Sequence, residues 1–358
     1  MVLKQWYTNQ KRYAFSDTLK PYILQADAEG TLATGRVLPH ASAEMGLTVI
    51  MQQLQLQLNQ WQVEGYTGEV LLYVHGGLRE EAFSLAFAQQ QLAYCLARHI
   101  YPIFVTWHTG TQETLRYLQQ DLTTNRVAVS AFLKHPLALP HWGWQKMKQH
   151  AALLSQTPEG ALFQLLNQVH YLQQQLLKPV PLHWVGHSAG SIVLGHAVQY
   201  WCETLHNSLQ KVSLLGAAIT CDAFETLYGP ALQNNRLQRV QCVNLSARSE
   251  LLFHPSLLYL VAYLLDSPMP PSVFELCQPK QLSKKATRLL GMHRHVVPLY
   301  GEQLEQLHHK WSITPERLTM LWVDRADELF HQGETPLSWL DSNHAVLDKQ
   351  FFQYVIEH

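Results

Sequence analysis

Charge is scarce in this chain and almost perfectly cancelled. Only 15% of the 358 residues are Asp, Glu, Lys or Arg, and 26 basic side chains face 27 acidic ones, against the roughly 25% charged residues of an average soluble domain. A net charge of −1 offers no basic field to nucleic-acid phosphates or an anionic membrane surface, so neither is expected as a partner. Cysteine is sparse too. The five thiols (Cys95, Cys202, Cys221, Cys242, Cys277) are odd in number, scattered, and form no Cys-x-x-Cys pair. That pattern fits free thiols in a reducing compartment better than a disulfide framework. Long apolar runs are missing: residues 257–265 form the longest, about half of the roughly 20 residues that a membrane-spanning helix requires. The opening Met1-Val2-Leu3-Lys4-Gln5-Trp6 has no signal-peptide core. A soluble, cytoplasmic chain without a transmembrane segment is the expectation. Walker and dinucleotide glycine motifs are also absent, and His293-Arg294-His295 and His308-His309 lack metal-ligand spacing. No nucleotide, metal or other cofactor is expected.

What is present is core material, at 47% hydrophobic residues. Residues 1–65 read as an N-terminal extension packed on the main domain. In it Tyr22-Ile23-Leu24-Gln25-Ala26 and Thr31-Leu32-Ala33-Thr34 form a hairpin, and a Gln-rich helix follows over 42–61. From residue 66 to 358 the pattern changes to short apolar runs alternating with helical stretches. Strands are predicted over 69–74, 102–107, 181–185, 212–218 and 240–245, with helices over 80–99, 161–177 and 191–202. Continuous apolar strands separated by helices predict an α/β fold, with a mostly parallel sheet covered on both faces. Two stretches exceed ordinary connections and read as lid-like insertions, near 111–178 and 255–335. The first contains Trp142, Trp144, Pro136 and Pro140; the second opens on the apolar 257–265 segment, read as core-packing.

Chemistry concentrates at the ends of the predicted strands. Gly186-His187-Ser188-Ala189-Gly190 occurs often by chance as a pattern, but here a buried strand runs into it and a helix runs out. That setting lifts a serine hydroxyl clear of the sheet on a tight turn and aims a helix N-terminus at developing negative charge. A second glycine pair, His75-Gly76-Gly77, ends an earlier strand.

On these two motifs the chain, from about residue 66 onward, resembles the α/β-hydrolase fold family, its esterases and lipases in particular. The resemblance implies that Ser188 is a nucleophile and that backbone N–H groups of Ala189 and of Gly76, Gly77 or Leu78 form an oxyanion hole. It also implies a histidine late in the chain, and His344 matches. It follows the turn-forming Asp341-Ser342-Asn343 and precedes a final amphipathic segment. His331 and His295 are the fallbacks. The acid is Glu250, after the strand ending near Leu245, or Asp222, after the preceding strand; Asp324 and Asp327 are further candidates. The implied activity is hydrolysis of a small carboxylic ester through an acyl-enzyme. The apolar inserts favour a lipid-like or aromatic acyl group. Acyl transfer by the same residues, or an inactive hydrolase-like binding protein, are the alternatives. Oligomeric state is not legible.

Overall fold

The computed structural model describes residues 15–35, 38–77, 81–107, 138–176, 178–247, 258, 261–266, 286–323 and 352–357. Their centre is a parallel seven-stranded sheet in the order β1-β3-β2-β4-β5-β6-β7. The strands are β1 (Ile23–Gln25), β2 (Glu69–Val74), β3 (Ile100–Thr106), β4 (Leu182–His187), β5 (Leu209–Leu215), β6 (Leu237–Leu245) and β7 (Leu318–Val323). Helices α1 (Ala43–Val63), α2 (Glu81–Leu96), α3 (Ala138–Gln156), α4 (Ala161–Gln175), α5 (Gly190–Gln199) and α6 (Cys221–Gln233) join them, with α7 (His293–Tyr300) and α8 (Glu305–Trp311) ahead of β7. The α/β architecture expected from the run-and-helix pattern is the one found. Strands β2, β3 and β4 are buried nearly end to end, which is why they read as continuous apolar runs rather than alternating ones.

The order of strands fixes where a ligand can sit. From β2 the chain crosses by α2 to β3 on one side, whereas from β4 it crosses by α5 to β5 on the other. Right-handed crossovers in opposite directions place α2 on one face and α5 and α6 on the opposite face. The connections therefore diverge between the carboxyl ends of β2 and β4, and a crevice opens at that switch point. His75-Gly76-Gly77 leaves β2 there, and Ser188 leaves β4 there.

Local signals explain the helix boundaries. Ser42 accepts the Met45 N–H at 3.1 Å and caps α1, whose Leu47, Ile50, Leu54, Leu58 and Trp61 form one buried stripe. Thr220 caps α6 in the same way through the Ala223 N–H at 3.1 Å. A Cβ on Gly195 would lie 2.8 Å from Leu227 Cδ1, so its absence lets α5 and α6 pack closely. On the other face, Phe352 of the helical turn 352–357 lies 5.4 Å from Tyr73, 5.3 Å from Phe87 and 6.4 Å from Phe104 between ring centroids.

Three features depart from the sequence expectation. The first arm of the expected N-terminal hairpin is also the edge strand β1, parallel to β3; its antiparallel return is present but short, with an Ala26–Leu32 bridge and the Asp27 N–H to Thr31 O and Ala33 N–H to Gln25 O bonds at 2.9 Å. Residues 318–323, inside the stretch expected as the second insertion, form edge strand β7. Thr319, Leu321, Trp322 and Val323 are half-exposed and only Leu318 and Met320 are buried, so it lacked the buried signature of its neighbours. The Trp142 and Trp144 region of the first insertion is the long helix α3, packed on α5. The ammonium of Lys148 on α3 pairs with Asp266, at the end of the short helical turn Val261–Leu265. The described parts of the two insertions thus meet.

Candidate active site

Ser188 sits at φ +50° between β4 and α5, a left-handed conformation that a non-glycine residue rarely adopts. Such backbone costs about 1–3 kcal/mol and persists only where neighbours over-determine it. Here they do. The Ser188 N–H donates to Leu215 O at 2.8 Å, and Ser188 O accepts from Ala218 N and Ser191 N, each at 3.1 Å. Ser191 Oγ donates to the same carbonyl at 2.6 Å and accepts the Ile219 N–H at 3.1 Å. Tyr228 OH then holds Ser191 O at 2.7 Å. The motif's second glycine is set by close approach: a Cβ on Gly190 would stand 2.2 Å from Val74 O. The residue after β2 and the first turn of α5 therefore touch through backbone atoms.

The loop after β2 lies against this elbow. A Cβ on Gly76 would be 3.0 Å from Ser188 Cβ, and one on Gly77 would be 3.3 Å from Ala189 Cβ and 2.9 Å from Met147 Sδ of α3. Neither the Gly77 N–H nor the Ala189 N–H meets a hydrogen-bond acceptor among the described residues. Ala189, at the N-terminus of α5, is fully buried. His75 is the strut of the loop. Its Nδ1 lies 2.6 Å from Gly76 O, its Nε2 receives the Trp107 N–H at 3.3 Å, and its carbonyl receives the Trp107 indole N–H at 3.1 Å. Accepting at Nε2 puts the proton on Nδ1, so this buried ring is neutral and donates to Gly76 O.

Of the residues expected from sequence, the structure brings together Ser188, Ala189, Gly76 and Gly77. Leu78, Glu250, His331, Asp324, Asp327 and His344 lie outside the described residues. Asp222 is exposed in the first turn of α6, and no hydrogen bond or ion pair joins its carboxylate to a histidine among the described residues. His295 has the wrong tautomer for a base aimed at a serine. Its Nδ1 accepts the Leu289 N–H at 3.1 Å, leaving the proton on Nε2, whereas a triad histidine keeps Nε2 free to take the hydroxyl proton. Burial, with Arg294 and Arg288 nearby, pushes it down to about 4.

Two elements of the rim were not anticipated. Asn244, fully buried near the end of β6, receives the Ala217 N–H at 3.4 Å and donates to Leu290 O at 3.2 Å. Residues 289–291 run beside the loop after β5, with Leu290 N to Ile219 O at 2.9 Å and Gly291 N to Ala217 O at 2.8 Å. Asn244 did not stand out in the sequence, because the same strand also carries Gln238, Arg239 and Gln241. Elsewhere, Ser213 Oγ lies 2.9 Å from His183 Nε2, and His183 Nδ1 lies 3.5 Å from Glu69 Oε1. This serine–histidine–carboxylate alignment runs across β5, β4 and β2. Ser213 is fully buried and sits in mid-strand, with no helix N-terminus before it, so it braces the sheet rather than meeting a substrate. Burial holds His183 below its ordinary value.

No protein-family model, curated protein or solved structure matches this chain. No helix among the described residues is long and apolar enough to cross a membrane.

Proposed function

We propose that the protein is a serine hydrolase of the α/β-hydrolase type that cleaves a carboxylic ester through an acyl-enzyme. The observation that carries this reading is the strained Ser188, held at a strand–helix turn against a glycine loop across the switch point of the sheet. Ordinary βα turns have no need of a left-handed serine fixed by four hydrogen bonds to its backbone. Strain retained at a sheet's ligand crevice accords with a catalytic role.

In the proposed reaction Ser188 Oγ attacks the ester carbonyl while His344 takes its proton. The carbonyl oxygen becomes an oxyanion that the Gly77 and Ala189 N–H groups stabilise, with the α5 N-terminus behind them. His344 then protonates the departing alcohol, and water repeats the sequence to release the acid and free Ser188. Glu250 orients His344 in this scheme; Asp222 is the alternative. The anchoring of Phe352 beside β2 and β3 is compatible with that base, since eight residues of chain reach up to about 28 Å.

The test is covalent labelling by a fluorophosphonate probe. The wild-type protein should label stoichiometrically, and Ser188→Ala should not label at all. An unlabelled wild-type protein that is folded by circular dichroism would sink the reading.

A further inference from the structure

We infer that Met147 of α3 is the residue that sets the length of acyl chain the site accepts; this rests on the ester-hydrolase reading above. Met147 Sδ would lie 2.9 Å, and its terminal methyl 3.5 Å, from a Cβ placed on Gly77. The same Gly77 position is 3.3 Å from Ala189 Cβ, so the thioether packs on the face of Gly77 that also meets Ala189. A group bonded to the reacting carbonyl carbon and directed to that side meets it.

That side takes the acyl chain and not the leaving group, for a chemical reason. Once the alcohol departs, water must occupy the position it vacated, because deacylation reverses the approach of the leaving group. The Met147 side offers that water little: a thioether and its methyl present a weak acceptor and no donor, and Met147 is only 7% exposed. Lys146 and Lys148 flank Met147; Lys148 pairs with Asp266, and Lys146 Nζ lies 5.6 Å from the centroid of the Trp142 ring. The surface that Met147 itself presents is apolar, so the acyl group that meets it is apolar, and its length is limited by how much room the methionine leaves. The Lys148–Asp266 pair, with Gln145 Nε2 donating to Leu265 O at 3.5 Å, ties α3 to the second insertion and so fixes that surface in place.

The experiment measures kcat/KM for p-nitrophenyl butyrate, octanoate and dodecanoate, a series with one leaving group. Wild type is compared with Met147→Ala, Met147→Leu and Met147→Trp. The octanoate-to-butyrate ratio should rise about 10-fold in M147A and fall by a similar factor in M147W, since a pocket methylene or two is worth that much discrimination. M147L, close in volume, should keep the wild-type ratio. A merely structural role would lower all esters together and leave the ratio fixed, which overturns the inference. So would a ratio that moves the same way in M147A and M147W. Fluorophosphonate labelling run in parallel separates the two levels: labelled variants with an unmoved ratio refute the role of Met147 alone, whereas an unlabelled wild type refutes the hydrolase reading and this inference with it.

Discussion

Replacing Ser191 by alanine removes a single oxygen from the centre of the elbow. That oxygen is, among the described residues, the acceptor of the Ile219 N–H at 3.1 Å, and its O–H is one of three donors to Ser188 O. The carbonyl keeps the Ser191 and Ala218 N–H groups, so its loss is small. The buried Ile219 N–H is left without an acceptor, which costs about 1–3 kcal/mol. Alanine's better helix propensity returns about 0.5 kcal/mol, for a net destabilisation of about 1–2 kcal/mol. Unfolding entropy of about 2.1 cal/mol/K per residue over a chain of this size converts that to a fall in Tm of roughly 1–3 °C. Function should suffer more than stability, because the Ile219 loop also presents the Ala218 N–H to Ser188 O. The labelling rate of Ser188 should drop by about 10-fold, the scale of one misplaced catalytic group. Ser155→Ala is the matched control. Its hydroxyl is fully buried on α3 with no hydrogen-bond partner, so its removal should leave Tm level or slightly raised and labelling unchanged. Differential scanning fluorimetry and probe kinetics on both variants decide the matter. Equal Tm and labelling in S191A and S155A would refute the idea that Ser191 holds the elbow in its strained form.

Gly190→Ala should be severe, because the new Cβ would meet Val74 O at 2.2 Å and a β-strand carbonyl has nowhere to retreat. Soluble yield should collapse; a normal yield with normal Tm would contradict the close approach of β2 and α5. Acid should destabilise the fold through His295. Its folded value of about 4 lies below the ordinary 6.5, so the unfolded chain takes up the proton first, and stability falls as pH drops from about 6.5 to about 4. His295→Gln should flatten that limb of a Tm-against-pH curve relative to wild type, and an unchanged slope would show that another group governs it.

The central strands were readable because burial on both faces makes them apolar throughout, as in Val70-Leu71-Leu72-Tyr73-Val74. Ser188 was readable for a related reason: strand, glycine, serine, glycine and helix leave little choice of turn. Edge strands were not. Ile23–Gln25 was read as a hairpin arm and Leu318–Val323 was not read as a strand, since three buried residues do not say which neighbour they will join and β7 is mostly half-exposed. Helix α3 was also missed as a helix, with Pro140 and two tryptophans near its start obscuring the period.

The sequence alone determined the alternation of strand and helix, and the placing of the two glycine motifs at strand ends, because both depend on short-range patterns of apolar and turn-forming residues. Only the tertiary structure decided that the motifs are neighbours. They are more than 100 residues apart in sequence, yet the strand order sets β2 against β4 and winds their helices away in opposite directions. It also decided that Met147 stands over Gly77, that Asn244 ties the rim, and that Ser213 and His183 of the Ser213–His183–Glu69 alignment are buried in mid-sheet. Each of these is a long-range contact, fixed by how layers pack and invisible to any local reading of the chain.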